Sequence, residues 1–151
     1  MENTRRQERS ALGLPVLALV GLALLAAPRV VLHDLDVIQE GTFPNALFVF
    51  VPPVAWIAVV VLRRVPNPFL TLLVIGAIYG VLLALGHQLL WDVSFPDGTP
   101  RLGGNLADVP AATSAVVVRS FAAVGSVFTG VLVGAVSGLV AWGISKVVSR
   151  R

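Results

Sequence analysis

The stretch Gly86-His87-Gln88-Leu89-Leu90-Trp91-Asp92 brings an imidazole, a carboxamide and a carboxylate together at one end of a long apolar run. His87 follows Gly76 by eleven residues, a net turn of only ~20° around an α-helix, so it shares a face with the glycines before it. Gln88 and Asp92 stand four apart and are neighbours on the helix surface. Arg119 stands at the matching depth in the last apolar run, at an angle between those of Ser126 and Gly130. The expectation is an interhelical polar cluster of His87, Gln88, Asp92 and Arg119, with Arg119 paired to Asp92 or Asp108. Polar groups inside apolar helices suit a ligand or ion site. They also suit a structural cap whose long arginine reaches for the headgroups.

Metal chemistry has weaker support. His33 beside Asp34 and Asp36, and His87 beside Asp92, offer imidazole nitrogens and carboxylates. Zinc asks for about four N, O or S ligands held tetrahedrally, or three and a water. The two histidines are more than fifty residues apart and fall in neither H-x-x-x-H nor H-E-x-x-H spacing. His33 and His87 are therefore only weak candidates for zinc or for bis-histidine haem, and no cofactor is expected. Cysteine is absent, which removes disulfides, thiolate nucleophiles and sulfur-ligated metals. No G-x-S-x-G, P-loop or dinucleotide fingerprint occurs, and no carboxylate pair or Ser-His couple stands where it would activate water. An enzyme is not expected.

The elements that must position these groups are apolar helices. Four runs, Ala11–Leu32, Phe43–Leu62, Phe69–Leu90 and Ser120–Ser145, are each long enough to cross a hydrocarbon core of ~30 Å at a rise of ~1.5 Å per residue. They lack the period-two alternation of a barrel. Charged residues make up 13% of the chain, well under the ~25% of soluble domains, because lipid-facing positions carry charge at high cost. The fold class expected is an all-α integral membrane protein, a four-transmembrane-helix bundle with a folded extracytoplasmic loop cap between helices 3 and 4. Its helices are placed at 11–32, 43–62, 69–91 and 119–146, its outer loop at 92–114, and its tails at 1–10 and 147–151. The first run exceeds the 7–15 residues of a signal-peptide core and lacks a clean A-x-A site, so it is read as a retained span.

Charge sets the orientation. Arg5, Arg6, Arg9, Arg63, Arg64, Lys146, Arg150 and Arg151 fall on one side of the spans, against Arg29, Arg101 and Arg119 on the other. The positive-inside rule then places both termini in the cytoplasm of a bacterial cell, with the membrane an inner membrane. Trp91 and Trp142 lie near helix ends, where indoles favour the interface. The net charge of +3 is spread in short caps with no interleaved aromatics, which argues against nucleic acid.

Within the spans, Pro52-Pro53 removes two backbone donors near the middle of helix 2, which predicts a kink, either for packing or as a hinge beside a polar notch. Gly76, Gly80 and Ala84 on helix 3, and Ala122, Ser126, Gly130, Gly134 and Gly138 on helix 4, form small-xxx-small stripes. Close backbone approach at small residues drives helix association in lipid, so helix 4 should pack on helix 3 or on its own copy, crossing near −40°. The mid-span slice carries Tyr79, Ser126, Thr129 and Ser137 but no ionisable acid, base or histidine, which disfavours ion coupling. Two functions follow as expectations: a non-enzymatic oligomer or subunit of a larger membrane assembly, or a transporter or channel for a small solute. The partners expected are the lipid bilayer and a second copy or another membrane protein.

Overall fold

Prolines set where the helices begin, since the first turn leaves its N–H groups unpaired and proline has none to lose. The computed structural model describes residues 11–148. Proline occupies one of the first two positions of α2 (Pro28–Asp34), α3 (Phe43–Leu62) and α4 (Pro68–Leu89). Thr42 and Asn67 cap the last two, their side-chain oxygens accepting from Asn45 N at 3.4 Å and Leu70 N at 3.0 Å. Proline also immediately precedes α1 (Val16–Leu24) and α6 (Ala111–Val148). A short α5 (Trp91–Ser94) and a 3₁₀ turn at Gly104–Leu106 complete the chain, and no strand occurs among the described residues. Val16–Asp34, Phe43–Leu62, Pro68–Leu89 and Ala111–Val148 are each long and apolar enough to cross a membrane. The basic tails, with Arg5, Arg6 and Arg9 on one and Arg150 and Arg151 on the other, lie outside the described residues.

Two boundaries differ from the sequence expectation. The first span is not one helix over residues 11–32. Residues 11–15 are non-helical, and the hydrogen bonds around Pro28 reach back three residues instead of four: Leu25 to Leu22, Ala26 to Ala23, Ala27 to Leu24, Arg29 to Ala26 and Val30 to Ala27. Pro28 is the cause, because it cannot donate to Leu24 and its ring crowds that carbonyl. The last helix starts at Ala111 instead of 119 and absorbs the end of the expected 92–114 loop. Thr113 and Ser114 lower the hydropathy there without breaking a helix, and Pro110 is the first residue that does. Its 38 residues make α6 about 57 Å long, well beyond a ~30 Å core. Pro52-Pro53 lies inside α3 without interrupting it.

The α1–α2 segment runs parallel to α4, and α3 and α6 run antiparallel to it. At one end the Thr71 hydroxyl sits 2.9 Å from the Leu12 carbonyl and 2.8 Å from that of Asn67. There Gly13 adopts φ +64 directly against Val65 and Pro66, a place where any side chain would collide. Trp56, fully buried, holds the middle: its indole meets Tyr79 edge-on at 5.9 Å and Nε1 donates to the Leu22 carbonyl at 2.7 Å.

The tightest contact is α4 on α6, and it repeats every fourth residue. Phe69 faces Gly138, Leu72 faces Gly134, Gly76 faces Gly130 and Gly134, and Gly80 faces Ser126, Val127 and Gly130. A methyl group on Gly80 would stand 2.8 Å from the Val127 carbonyl, and one on Gly138 2.9 Å from that of Phe69. The backbones are therefore in direct contact over about three turns of each helix. This seam brings the small-residue stripes of the two helices together within a single copy of the chain.

Candidate polar cleft at the His87 end

The tightened turn before Pro28 aims α2 across the end of α4. Val30 packs on Gly86, and one turn later Asp34 reaches His87. The His87 Nδ1 lies 2.7 Å from Asp34 Oδ2, and His33 Nδ1 lies 3.4 Å from Oδ1 of the same carboxylate. The Asp34 side chain is only 4% exposed, so two imidazoles replace the water it has lost. An ionised carboxylate only accepts, so the His87 proton sits on Nδ1 and Nε2 is the nitrogen left for a ligand. Among the described residues, no serine or threonine hydroxyl is hydrogen-bonded to either histidine. The arrangement orients a base without a nucleophile beside it.

Arg29 stands one turn before His33 on α2. Its Nε donates to Asn45 Oδ1 on α3 at 3.1 Å, and the guanidinium neighbours the Tyr79 hydroxyl on α4. Both partners are neutral in charge, and among the described residues Arg29 makes no ion pair. A half-buried cation without an anion is an expensive state in an apolar bundle.

These groups wall a cleft of about 870 Å³. Its α2 side carries Arg29, His33 and Asp34, with Asp36 in the turn just beyond; its α4 side carries Leu83 and His87; and its α6 side runs from Val118 through Ala122 and Gly125 to Ser126 and Thr129. The eleven steps from Val118 to Thr129 span ~16 Å along α6. Trp91 and Phe95, their ring centroids 4.9 Å apart, also line the cleft.

The four residues expected to cluster divide between two places. His87 turns to α2 and Asp34. Gln88 Nε2 donates to the Arg119 carbonyl at 3.2 Å, and Arg119 Nη2 donates to Asp92 Oδ1 at 3.2 Å. The guanidinium of Arg119 also lies 4.8 Å from the centre of the Trp91 ring. Asp92 is 97% exposed, so the pair sits on the rim; Asp108 is exposed and takes no part. His33 and His87 meet on one carboxylate, yet no three His, Cys, Asp or Glu side chains among the described residues are arranged to hold a metal. Sequence reasoning left out Arg29, Asp34, Asn45 and Tyr79 as a group. One signal for them was available: Pro28 marks a fresh helix start, and Arg29 and His33 then share its face.

Compared with known proteins, the chain matches no family model, no curated relative and no solved structure.

Proposed function

We propose that this chain is a non-enzymatic multi-pass protein of a bacterial inner membrane that takes a small polar solute into the cleft walled by Arg29, Asp34 and His87. The observation that carries this reading is Arg29, a half-buried cation facing an 870 Å³ cleft with, among the described residues, only Asn45 and Tyr79 as partners. A charge kept at such cost inside apolar helices is explained by an anionic group that visits it. The four apolar spans support the membrane setting, and the excess of basic residues beside the termini supports a cytoplasmic location for both ends. The cleft then opens on the opposite face. Reporter fusions at the two ends should signal from the same compartment, and opposite compartments would overturn the topology.

The site itself is tested by filling it. Gly125 lines the cleft and its missing side chain points into open space, so Gly125→Trp blocks the volume without displacing the backbone. Purified wild type and Gly125→Trp would be melted in detergent against amino acids, mono- and dicarboxylates, phosphate and sugars. At least one compound should raise the wild-type melting temperature and leave the variant unmoved. Equal responses from both proteins across the whole set would refute a solute site here.

A subunit or oligomer role has one observation in its favour. Val116, in the first turns of α6, and Leu106, in the preceding 3₁₀ turn, are each more than half exposed. Stoichiometric co-purification of a second membrane protein, lost on Val116→Asp, would support it.

A further inference from the structure

We infer that the solute is a zwitterion, carrying an acid group for Arg29 and an ammonium group for Asp36; this rests on the cleft reading above. Both charges line the same cleft, and neither has an ion-pair partner among the described residues. Arg29 is half-buried beside Asn45 and Tyr79, while Asp36 is exposed. They stand seven positions apart in sequence, Arg29 in the first turn of α2 and Asp36 in the turn just beyond its end, where φ is +57. The other acid of the wall, Asp34, is already occupied by His87 at 2.7 Å and His33 at 3.4 Å. One unpaired charge of each sign, lining the same cleft, matches a ligand whose own charges are separated by a few carbons.

The rest of the cleft lining has the matching character. Leu83, Val118 and Ala122 belong to it, which suits an aliphatic spacer. Trp91 and Phe95 line the same cleft as Asp36, and the Trp91 ring already carries the Arg119 guanidinium at 4.8 Å. An acid lacking the ammonium would leave Asp36 unmatched; an amine lacking the acid would leave Arg29 unmatched. Two sources supply this chemistry, a soluble amino acid with a separated amine and the ethanolamine-phosphate headgroup of a lipid.

The experiment is a titration of detergent-purified wild type with 6-aminohexanoate, hexanoate and hexylamine, with Gly125→Trp as the blocked control. 6-Aminohexanoate should bind about tenfold or more tightly than either one-charge analogue, since a charge-assisted hydrogen bond is lost with each. Asp36→Asn, at an exposed position that leaves the fold intact, should bring 6-aminohexanoate down to hexanoate and leave hexanoate unchanged. Arg29→Lys should keep most of the preference, and Arg29→Gln should abolish the benefit of the acid. In nanodiscs, weaker 6-aminohexanoate binding in phosphatidylethanolamine than in phosphatidylglycerol assigns the ligand to the lipid headgroup; equal binding assigns it to a soluble zwitterion. Hexanoate binding as tightly as 6-aminohexanoate, and blocked by Gly125→Trp, would overturn the zwitterion and leave the cleft reading standing. No Gly125-dependent binding of 6-aminohexanoate, with no preference between the two lipids, would overturn it as well.

Discussion

Gly134→Ala is the sharpest probe of what holds this bundle together. The alanine methyl would stand 2.6 Å from the Leu72 carbonyl oxygen and 2.9 Å from Gly76 Cα, where ordinary contact begins at 3.4 Å. Both obstacles are backbone, so neither can rotate away, and the helices must part locally by about 0.8 Å to admit it. A radial gap of ~0.5–1 Å forfeits a quarter to a half of each dispersion contact along the seam, and weak Cα–H···O contacts are lost with it. Overpacking of this kind costs ~1–3 kcal/mol. The control is Gly125→Ala, where nothing lies within 4 Å of the new methyl and helix propensity alone acts, favouring alanine by up to ~1 kcal/mol. Unfolding by SDS in mixed micelles, followed by far-UV circular dichroism, measures both. Gly134→Ala should unfold at a clearly lower SDS fraction, Gly134→Leu lower still, and Leu139→Ala, at a 58% exposed position, close to wild type. Gly134→Ala and Gly125→Ala unfolding together would refute backbone contact as the stabilising feature of the seam.

Three other outcomes are expected. A double-mutant cycle of Asp34→Asn with His87→Gln should show coupling of ~1–3 kcal/mol in the same unfolding assay, because each change leaves a desolvated polar partner unpaired; additive effects would mean the 2.7 Å contact contributes nothing. Asp92→Asn should leave the unfolding midpoint unchanged, since its carboxylate is 97% in solvent, whereas Arg119→Ala should lower it by removing the guanidinium from the Trp91 face. Trp56→Phe, which deletes the bond to the Leu22 carbonyl and leaves a gap in the centre of the core, should cost ~1–3 kcal/mol, and a neutral result would show that the indole is not anchored there.

The four long apolar helices were legible in the sequence because hydropathy over about twenty residues is a local property, and the α4 and α6 stripes were legible because residues four apart share a face. What was not legible depended on partners distant in sequence or on details smaller than a helix. Asp34 reads as one of several acids in a polar connection until the fold brings it to His87, 53 residues away. Arg29 reads as a helix-end cation until α3 delivers Asn45 and α4 delivers Tyr79. The start of α6 was missed for a different reason: Thr113 and Ser114 lowered the hydropathy, but helices end at caps and prolines, and Pro110 was the stronger marker. Choosing between a helix neighbour and a second copy for the glycine stripe required the register itself, from Phe69 against Gly138 to Gly80 against Ser126.

The orientation of the cleft wall traces to one missing N–H. A three-residue-per-turn segment advances ~120° per residue against ~100° for an α-helix, so the tightened residues Leu25–Ala27 turn α2 by roughly 60° relative to a continuous helix. That rotation presents Val30 to Gly86 and, beyond it, Asp34 to His87. Pro28→Ala restores the donor and lets the span continue as one α-helix from Val16, which would swing the Val30 Cβ about 3 Å around the helix axis. The chain has no cysteine of its own, so a disulfide can report the position without interference. In Val30→Cys with Gly86→Cys, the two Cβ positions lie 3.6 Å apart, inside the ~3.5–4.5 Å range that a disulfide needs. Mild oxidation should cross-link this pair rapidly, and adding Pro28→Ala should slow or abolish the reaction. If the triple variant cross-links as fast as the pair alone, Pro28 does not set the turn, and the alignment of the cleft wall must come from the packing of α2 against α4.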